Sequence, residues 1–72
     1  MVTPQQIKTW IEQGLKDSQA LVEGDGHHFN ATVICPAFAG KPMLEQHRMV
    51  YAALGDKMKG DIHALSLKTT ER

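Results

Sequence analysis

Residues 38–54 read FAGKPMLEQHRMVYAAL, and this stretch predicts a turn followed by the longest helix of the chain. Gly40 can take a positive φ in the turn, and Pro42 suits the first turn of a helix. Apolar positions then recur at steps of three and four residues, which is the spacing of one helix face. The expected core stripe consists of Leu44, His47, Val50, Tyr51, Leu54 and Met58. Gly55 either loosens this helix or ends its regular part.

The N-terminal segment predicts a second helix. Thr3 can cap it, Pro4 suits its first turn, and Gln6 completes a capping box with Thr3. Apolar side chains follow at helical spacing, and they are Ile7, Trp10, Ile11 and Leu15. We expect the helix to end near Asp17, because Gly14 weakens its last turn.

Two segments between the helices predict a β-hairpin. Residues 20–22 form a short apolar run, and residues 29–35 alternate with a period of two and are rich in β-branched side chains. Residues 24–26 read Gly-Asp-Gly, a composition that favours the connecting turn. Pro36 ends the second strand, and residues 62–67 predict a third. The order helix, strand, strand, helix, strand indicates an α+β fold with helices on one side of a three-stranded sheet.

Length limits the classes of function. Seventy-two residues predict a single domain over residues 1–72. A chain of this size buries only roughly 60% of its unfolded surface, which leaves little room for a sheltered substrate cavity. No motif supplies the oriented base and oxyanion site that a nucleophilic enzyme needs. We therefore predict a binding or carrier domain without enzymatic activity.

Charge and cysteine content narrow the partners and the compartment. Eight acidic and eight basic residues balance, so the chain lacks the basic footprint of phosphate-binding domains. No apolar run approaches the ~20 residues of a membrane span, and the start MVTPQQ has no secretory pattern. Cys35, the single cysteine, is unable to form an internal disulfide and is predicted to be a small buried apolar group. A reducing, cytoplasmic compartment is the simplest prediction.

The histidines are the side chains best suited to chemistry. His27 and His28 directly follow the Gly-Asp-Gly turn, and His63 opens the third predicted strand. Adjacent strand residues point to opposite faces, so at most one of His27 and His28 should face His63. From the residues alone, all three are predicted to be exposed or hydrogen-bonded polar residues. His47 is predicted to be buried or half-buried and hydrogen-bonded to the backbone, where it would orient the loop before its helix.

Three separated motifs resemble those of the BolA-like family. They are Phe38-x-Gly40, the segment QHRxVYxxL at residues 46–54, and IHALSLKT at residues 62–69. The loop GDGHHF at residues 24–29 resembles the short bacterial branch of the family, called YrbA or IbaG. The similarity covers nearly the whole chain. It implies a fold like a type II KH domain, with a helix-turn-helix-like segment before the second long helix.

The resemblance also implies a partner and a cofactor. Members of this family pair with monothiol glutaredoxins and share a [2Fe-2S] cluster with them. The histidine of the Ile-His-Ala motif, His63 here, is implied to be one cluster ligand. The loop between the first two strands would supply the second from His28 or His27, with a slight preference for His28. The partner's cysteine and a glutathione thiolate would complete the set, and the isolated protein is expected to be a monomer without a cofactor.

Nucleic-acid binding is the alternative function, because the resemblance includes family members described as transcriptional regulators. A KH domain grips four nucleotides with a Gly-x-x-Gly loop, whereas this loop contains Gly40 alone. Phe38, Gly40, Lys41 and Arg48 form the predicted surface for a partner protein or for DNA, and no membrane partner is expected. Gln46 stands where the family often has arginine, which is expected to alter a partner or phosphate contact.

Overall fold

The structure is a computed structural model that describes residues 1–72. Seven elements follow one another along the chain: α1 (Pro4–Gly14), β1 (Gln19–Gly24), β2 (His28–Ile34), a short 3₁₀ helix (Pro36–Phe38), α2 (Met43–Leu54), α3 (Lys57–Gly60) and β3 (Ala64–Thr70). The predicted order of long helices and strands is confirmed. The sequence does not predict the one-turn α3 or the 3₁₀ helix, because each lies in a short polar or proline-containing segment.

The three strands form one mixed sheet in the order β1-β2-β3. β1 and β2 are antiparallel, with Gln19 opposite Ile34 and Gly24 opposite Phe29. β2 and β3 are parallel, because α2 carries the chain back across the sheet before β3 begins. Both parallel strands therefore start at the same end of the sheet.

The core lies between one face of this sheet and the helices. Phe29, Ala31 and Val33 are buried at alternate positions of β2, whereas Asn30 between them is exposed. This pattern is that of a sheet covered on one face only, which confirms the predicted α+β arrangement. The buried residues are Ile7, Ile11, Ala20, Phe29, Ala31, Val33, Cys35, Phe38, Val50, Leu54 and Ile62. None of the helices has the length and apolar character that crossing a lipid bilayer requires.

The capping box of α1 is confirmed, but the helix ends earlier than predicted. The Gln6 N–H donates to Thr3 Oγ1 at 3.2 Å, and the Thr3 N–H donates to Gln6 Oε1 at 2.9 Å. The helix stops at Gly14 and not near Asp17, which has a left-handed φ of 64°. A Cβ on Gly14 would lie 2.6 Å from the Cβ of Ala53, so this glycine lets α1 and α2 approach closely.

The predicted core stripe of α2 is partly wrong. Val50 and Leu54 are buried, but Leu44 is 65% exposed and Tyr51 is 40% exposed. The buried face is the one that meets α1 and the sheet, and Leu44 and Tyr51 lie outside it. The helix ends at Leu54, because Gly55 takes a φ of +57° and breaks the regular hydrogen bonding. The alternative that Gly55 ends the regular part of the helix is therefore confirmed, and Met58 lies in α3. Pro42 is the N-cap of α2 rather than a residue of its first turn.

The third strand is displaced along the sequence relative to its prediction. It spans Ala64–Thr70 and not residues 62–67. Ile62 is buried in the core, and its N–H donates to the Lys57 carbonyl at 2.9 Å instead of joining the sheet. His63 therefore lies just before β3 rather than inside it.

Candidate metal centre

His27 and His63 lie side by side at the end of the sheet where β2 and β3 begin. Their ring centroids are 5.8 Å apart, and the ring planes are inclined by 35°. The parallel register explains the contact, since His28 pairs with Ala64 and the residues just before them become neighbours. Both histidines are exposed, so their ring nitrogens can be reached from solvent.

The loop between β1 and β2 is held by Asp25. Its Oδ1 accepts hydrogen bonds from the backbone N–H groups of His27 and His28, both at 2.9 Å. The Asp25 N–H donates in turn to the His28 carbonyl at 3.2 Å. These N–H groups, that of His28 first and that of His27 second, lower the pKa of the Asp25 carboxyl below its ordinary value. An ionised Asp25 therefore fixes the backbone that carries His27.

The loop histidine beside His63 is His27, so the slight preference for His28 is incorrect on geometry. His28 is the first residue of β2, and the next residue, Phe29, is buried in the core. Successive side chains of a strand point to opposite faces, so His28 lies on the uncovered face of the sheet. The role of either histidine as a ligand remains a prediction.

The separation of the two histidine rings is compatible with one metal ion bound between them. A metal at ~2.0–2.1 Å from one nitrogen of each ring would separate the ring centroids by roughly 5–6 Å. The observed separation of 5.8 Å lies in that range. The structure brings together no group of three or more His, Cys, Asp or Glu side chains for a metal. At this point the chain therefore brings together two imidazoles and no third side chain of these types.

The pair also lines a shallow open cleft of about 460 Å³. Its other lining residues come from the N-terminal segment, from α1 and from the segments before the two histidines. They are Met1, Val2, Gln6, Trp10, Gly26, Gly60 and Asp61. His27 and His63 are both exposed, so a second molecule can approach the imidazoles from solvent.

Cys35 is far from this centre. It is 1% exposed and follows the last residue of β2, at the opposite end of the sheet from His27. A strand of seven residues spans roughly 20 Å, which separates the thiol from the imidazoles. The prediction that Cys35 is a small buried apolar group is confirmed, and the chain offers no thiolate near the histidine pair.

The predicted partner surface has one member fewer, with Gly40 and Lys41 at that opposite end and Arg48 midway along α2. Phe38 is 1% exposed, because the 3₁₀ helix turns its ring into the core, so it is incorrect as a surface residue. Gly40 has a φ of +76°, and a Cβ added to it would have no atom within 4 Å. Lys41 is exposed. Arg48 is exposed on α2, with an Nη1 atom 4.0 Å from the Glu45 carboxylate.

The loop before α2 is oriented by Gln46 and not by His47. Gln46 Nε2 donates to the Lys41 carbonyl at 2.8 Å and to the Phe38 carbonyl at 3.4 Å. Its Oε1 accepts from the Thr69 hydroxyl at 2.6 Å, which ties the loop to β3. The Nε2 atom of half-buried His47 has no partner, so the predicted hydrogen bond of His47 is absent. The sequence predicts for Gln46 only an altered partner or phosphate contact, because the hydrogen bonds to Lys41 and Thr69 depend on the folded chain.

Comparison with known proteins identifies the family. The family model described as BolA-like protein matches residues 4–72. The chain belongs to the BolA-like family. Its members are non-enzymatic, so the prediction of no enzymatic activity is confirmed at the level of the family.

Individual BolA-like proteins are similar over most or part of the chain. Protein BOLA2 of Arabidopsis thaliana is 41% identical over 75 residues, which cover 99% of this chain and 80% of that protein. A BolA homologue from Coxiella burnetii has a solved structure with 60% identity and a TM-score of 0.91, covering 96% of this chain and 90% of the other. The DNA-binding transcriptional regulator BolA of Escherichia coli (strain K12) is 35% identical over 46 residues, covering 64% of this chain and 44% of that protein.

Proposed function

We propose that this BolA-like protein is a cytoplasmic adaptor of the short bacterial YrbA/IbaG branch. It binds a monothiol glutaredoxin and jointly holds a [2Fe-2S] cluster in iron–sulfur trafficking or iron sensing. The observation that carries the proposal is the exposed pair His27 and His63, with ring centroids 5.8 Å apart. Two imidazoles can replace two thiolates on one iron of such a cluster.

The ligand count explains why a partner is required. A [2Fe-2S] cluster takes four protein or thiol ligands, and this chain contributes the imidazoles of His27 and His63. The one thiol, Cys35, is buried at the far end of the sheet. The remaining ligands are therefore thiolates from outside, the glutaredoxin cysteine and a glutathione. The isolated adaptor is expected to be a colourless monomer.

Visible circular dichroism tests the proposal directly. The protein is mixed with a monothiol glutaredoxin, iron, sulfide and glutathione, and the spectrum is compared with that of the glutaredoxin alone. We expect a new spectrum for the wild type and for His28→Ala, which is the matched control. His27→Ala and His63→Ala should each return the spectrum toward that of the glutaredoxin homodimer. If the wild type leaves the glutaredoxin spectrum unchanged, or if His63→Ala behaves like the wild type, the proposal fails.

Nucleic-acid binding is the second candidate, and it uses the other end of the sheet. The exposed loop with Gly40 and Lys41, together with Arg48 on α2, offers the cations for it. The name of the Escherichia coli relative gives DNA binding as its activity. The equal number of acidic and basic residues weakens this candidate. Retention on DNA at physiological salt that falls steeply as salt rises would support it, and no retention there would exclude it.

A further inference from the structure

The two edge strands of the sheet, β1 and β3, differ in the hydrogen bonds made by their outward backbone groups. At the β1 edge, the Ala20 N–H donates to Glu12 Oε2 at 2.9 Å, and Lys8 Nζ donates to the Ala20 carbonyl at 3.1 Å. Lys8 and Glu12 also form an ion pair with each other. Two side chains of α1 thus occupy the outward backbone groups of Ala20. At Ala20, the β1 edge is therefore blocked to the addition of another strand.

The β3 edge has no comparable cover. β3 is the outer strand of the sheet, and β2 is its sole strand neighbour. Apart from the β2 ladder, no backbone N–H or C=O of residues 64–69 makes a hydrogen bond within the protein. The strand contains neither proline nor glycine, and Lys68 is its one charged residue. Its outward backbone groups are therefore free to pair with an additional strand.

This open edge begins at the histidine pair. Ala64, the first residue of β3, directly follows His63, and His63 lies beside His27. An extended segment laid along β3 would therefore have one end next to the two imidazoles. A protein that brings thiolates to a metal at this pair could use the same edge for its affinity.

We infer that the outer edge of β3 receives an extended segment of the thiolate-donating partner, which adds a fourth strand to the sheet. The inference rests on the proposed function, because the partner is the protein that completes the cluster. Main-chain hydrogen bonds would supply affinity, and alternate side chains would supply specificity. On the helix side of the sheet, side chains of the added strand would pack beside Leu65 and Leu67, which are partly buried against the core. The other face would place an acidic side chain near the exposed Lys68.

A second copy of this chain fits the edge less well. Two β3 strands related by a two-fold axis at Leu67 would pair Ala64 with Thr70. The same register would bring Glu71 of the second copy beside His63. That copy would bring no thiolate, since Cys35 is buried, so the pairing would cover the histidines without completing a cluster. A partner that completes the cluster from this edge is therefore a different protein.

Hydrogen–deuterium exchange read by mass spectrometry tests the inference, and the paramagnetic cluster does not disturb this measurement. In the isolated protein, amides at alternate positions of residues 64–70 should exchange quickly, whereas the Ala20 amide should already be protected. In the complex with glutaredoxin and cluster, those β3 amides should slow at least tenfold, and the Ala20 amide should not change. A complex with the new circular dichroism spectrum but unchanged β3 exchange overturns the edge inference and leaves the proposed function. Absence of the complex overturns both.

A charge reversal gives a second readout that does not threaten the fold. Lys68→Glu, at an exposed position, should raise the Kd of the glutaredoxin complex about two- to fivefold, whereas the matched control Lys16→Glu should leave it unchanged. Equal Kd values for the two variants would overturn the predicted contact at Lys68. A β3 edge that is protected in the isolated protein, together with a dimer in sedimentation, would assign the edge to a second copy and overturn the inference.

Discussion

At the scale of single residues, two side chains hold loops in place through hydrogen bonds to backbone groups. Asp25 holds the N–H groups of His27 and His28, and Gln46 holds the carbonyls of Phe38 and Lys41. Each of them fixes a loop at one end of the sheet. Neither residue was predicted to have this role, because such hydrogen bonds depend on how the chain turns back on itself.

Asp25 should titrate below the ordinary carboxyl range. Its folded pKa is lowered by the N–H groups of His28 and His27, so its contribution to stability is fully present above the ordinary value of ~3.9. That contribution is lost as the pH falls through the lowered folded pKa. An NMR titration of the Asp25 carboxyl carbon measures this directly. A midpoint at or above ~3.9 would contradict the prediction.

Replacement of Asp25 should loosen the histidine loop. Asp25→Ala removes the acceptor of two hydrogen bonds, whereas Asp25→Asn keeps an oxygen in the same place. We expect the His27 and His28 amides to exchange faster in Asp25→Ala and to remain close to wild type in Asp25→Asn. Equal exchange rates in the alanine variant and the wild type would show that the loop does not depend on this side chain.

Gln46 should be coupled energetically to Thr69. Gln46→Met leaves the Lys41 carbonyl and the Thr69 hydroxyl without partners, so it should cost about 1 kcal/mol or more of unfolding free energy. A double-mutant cycle with Thr69→Val, measured by urea denaturation, should give a non-zero coupling energy. The control Gln13→Met, at an exposed position of α1, should change stability by less than about 0.5 kcal/mol. Additive effects of Gln46→Met and Thr69→Val would contradict the hydrogen bond between the two side chains.

At the scale of elements, α2 shows how a helix can be recognised while its buried face is misjudged. The spacing of apolar residues marks the helix, but Leu44 and Tyr51 are exposed. Apolar side chains surround more of this helix than the core can cover. The buried face is decided by where α1 and the sheet lie, and Gly14 against Ala53 shows how closely α1 approaches.

Alanine substitutions on the two faces of α2 should differ strongly. Leu54→Ala should destabilise the protein by about 2–4 kcal/mol, because Leu54 is buried and its removal leaves a cavity. Leu44→Ala should change the unfolding free energy by less than about 0.5 kcal/mol, because its side chain is mostly in solvent. The two losses are measured from the midpoints of urea denaturation, provided that the dependence of the unfolding free energy on urea concentration is unchanged. A large loss for Leu44→Ala would mean that the helix is rotated from the described orientation.

At the scale of the whole molecule, two candidate surfaces lie at opposite ends of one sheet. The principal extents are 35 × 18 × 18 Å, and roughly 20 Å of strand separates the histidine pair from the Gly40 loop. A partner at the histidines can therefore leave the loop free. The histidine pair and the loop of the predicted partner surface are therefore two separate regions.

Variants at the two ends should affect different activities. Lys41→Ala with Arg48→Ala should leave the circular dichroism spectrum of the glutaredoxin complex unchanged, since neither residue lines the cleft at the imidazoles. His27→Ala with His63→Ala should abolish that spectrum and leave any retention on DNA unchanged. If the loop variants altered the cluster spectrum as much as the histidine variants, a single continuous surface would replace the two-ended arrangement.

The sequence by itself determined the order of helices and strands, the capping box of α1, the burial of Cys35 and the family. These features follow from local periodicity, from turn chemistry or from short motifs, which do not require knowledge of distant neighbours. The displacement of β3 could not be predicted in the same way, because Ile62 leaves the sheet to fill the core.

Only the tertiary structure decided which loop histidine meets His63. The choice between His27 and His28 depends on the register of two parallel strands, and a shift of one residue would exchange their positions. That register is set by packing between segments more than thirty residues apart in sequence. A local sequence pattern cannot predict a contact between segments this far apart, so only the folded chain shows that His27 and His63 meet.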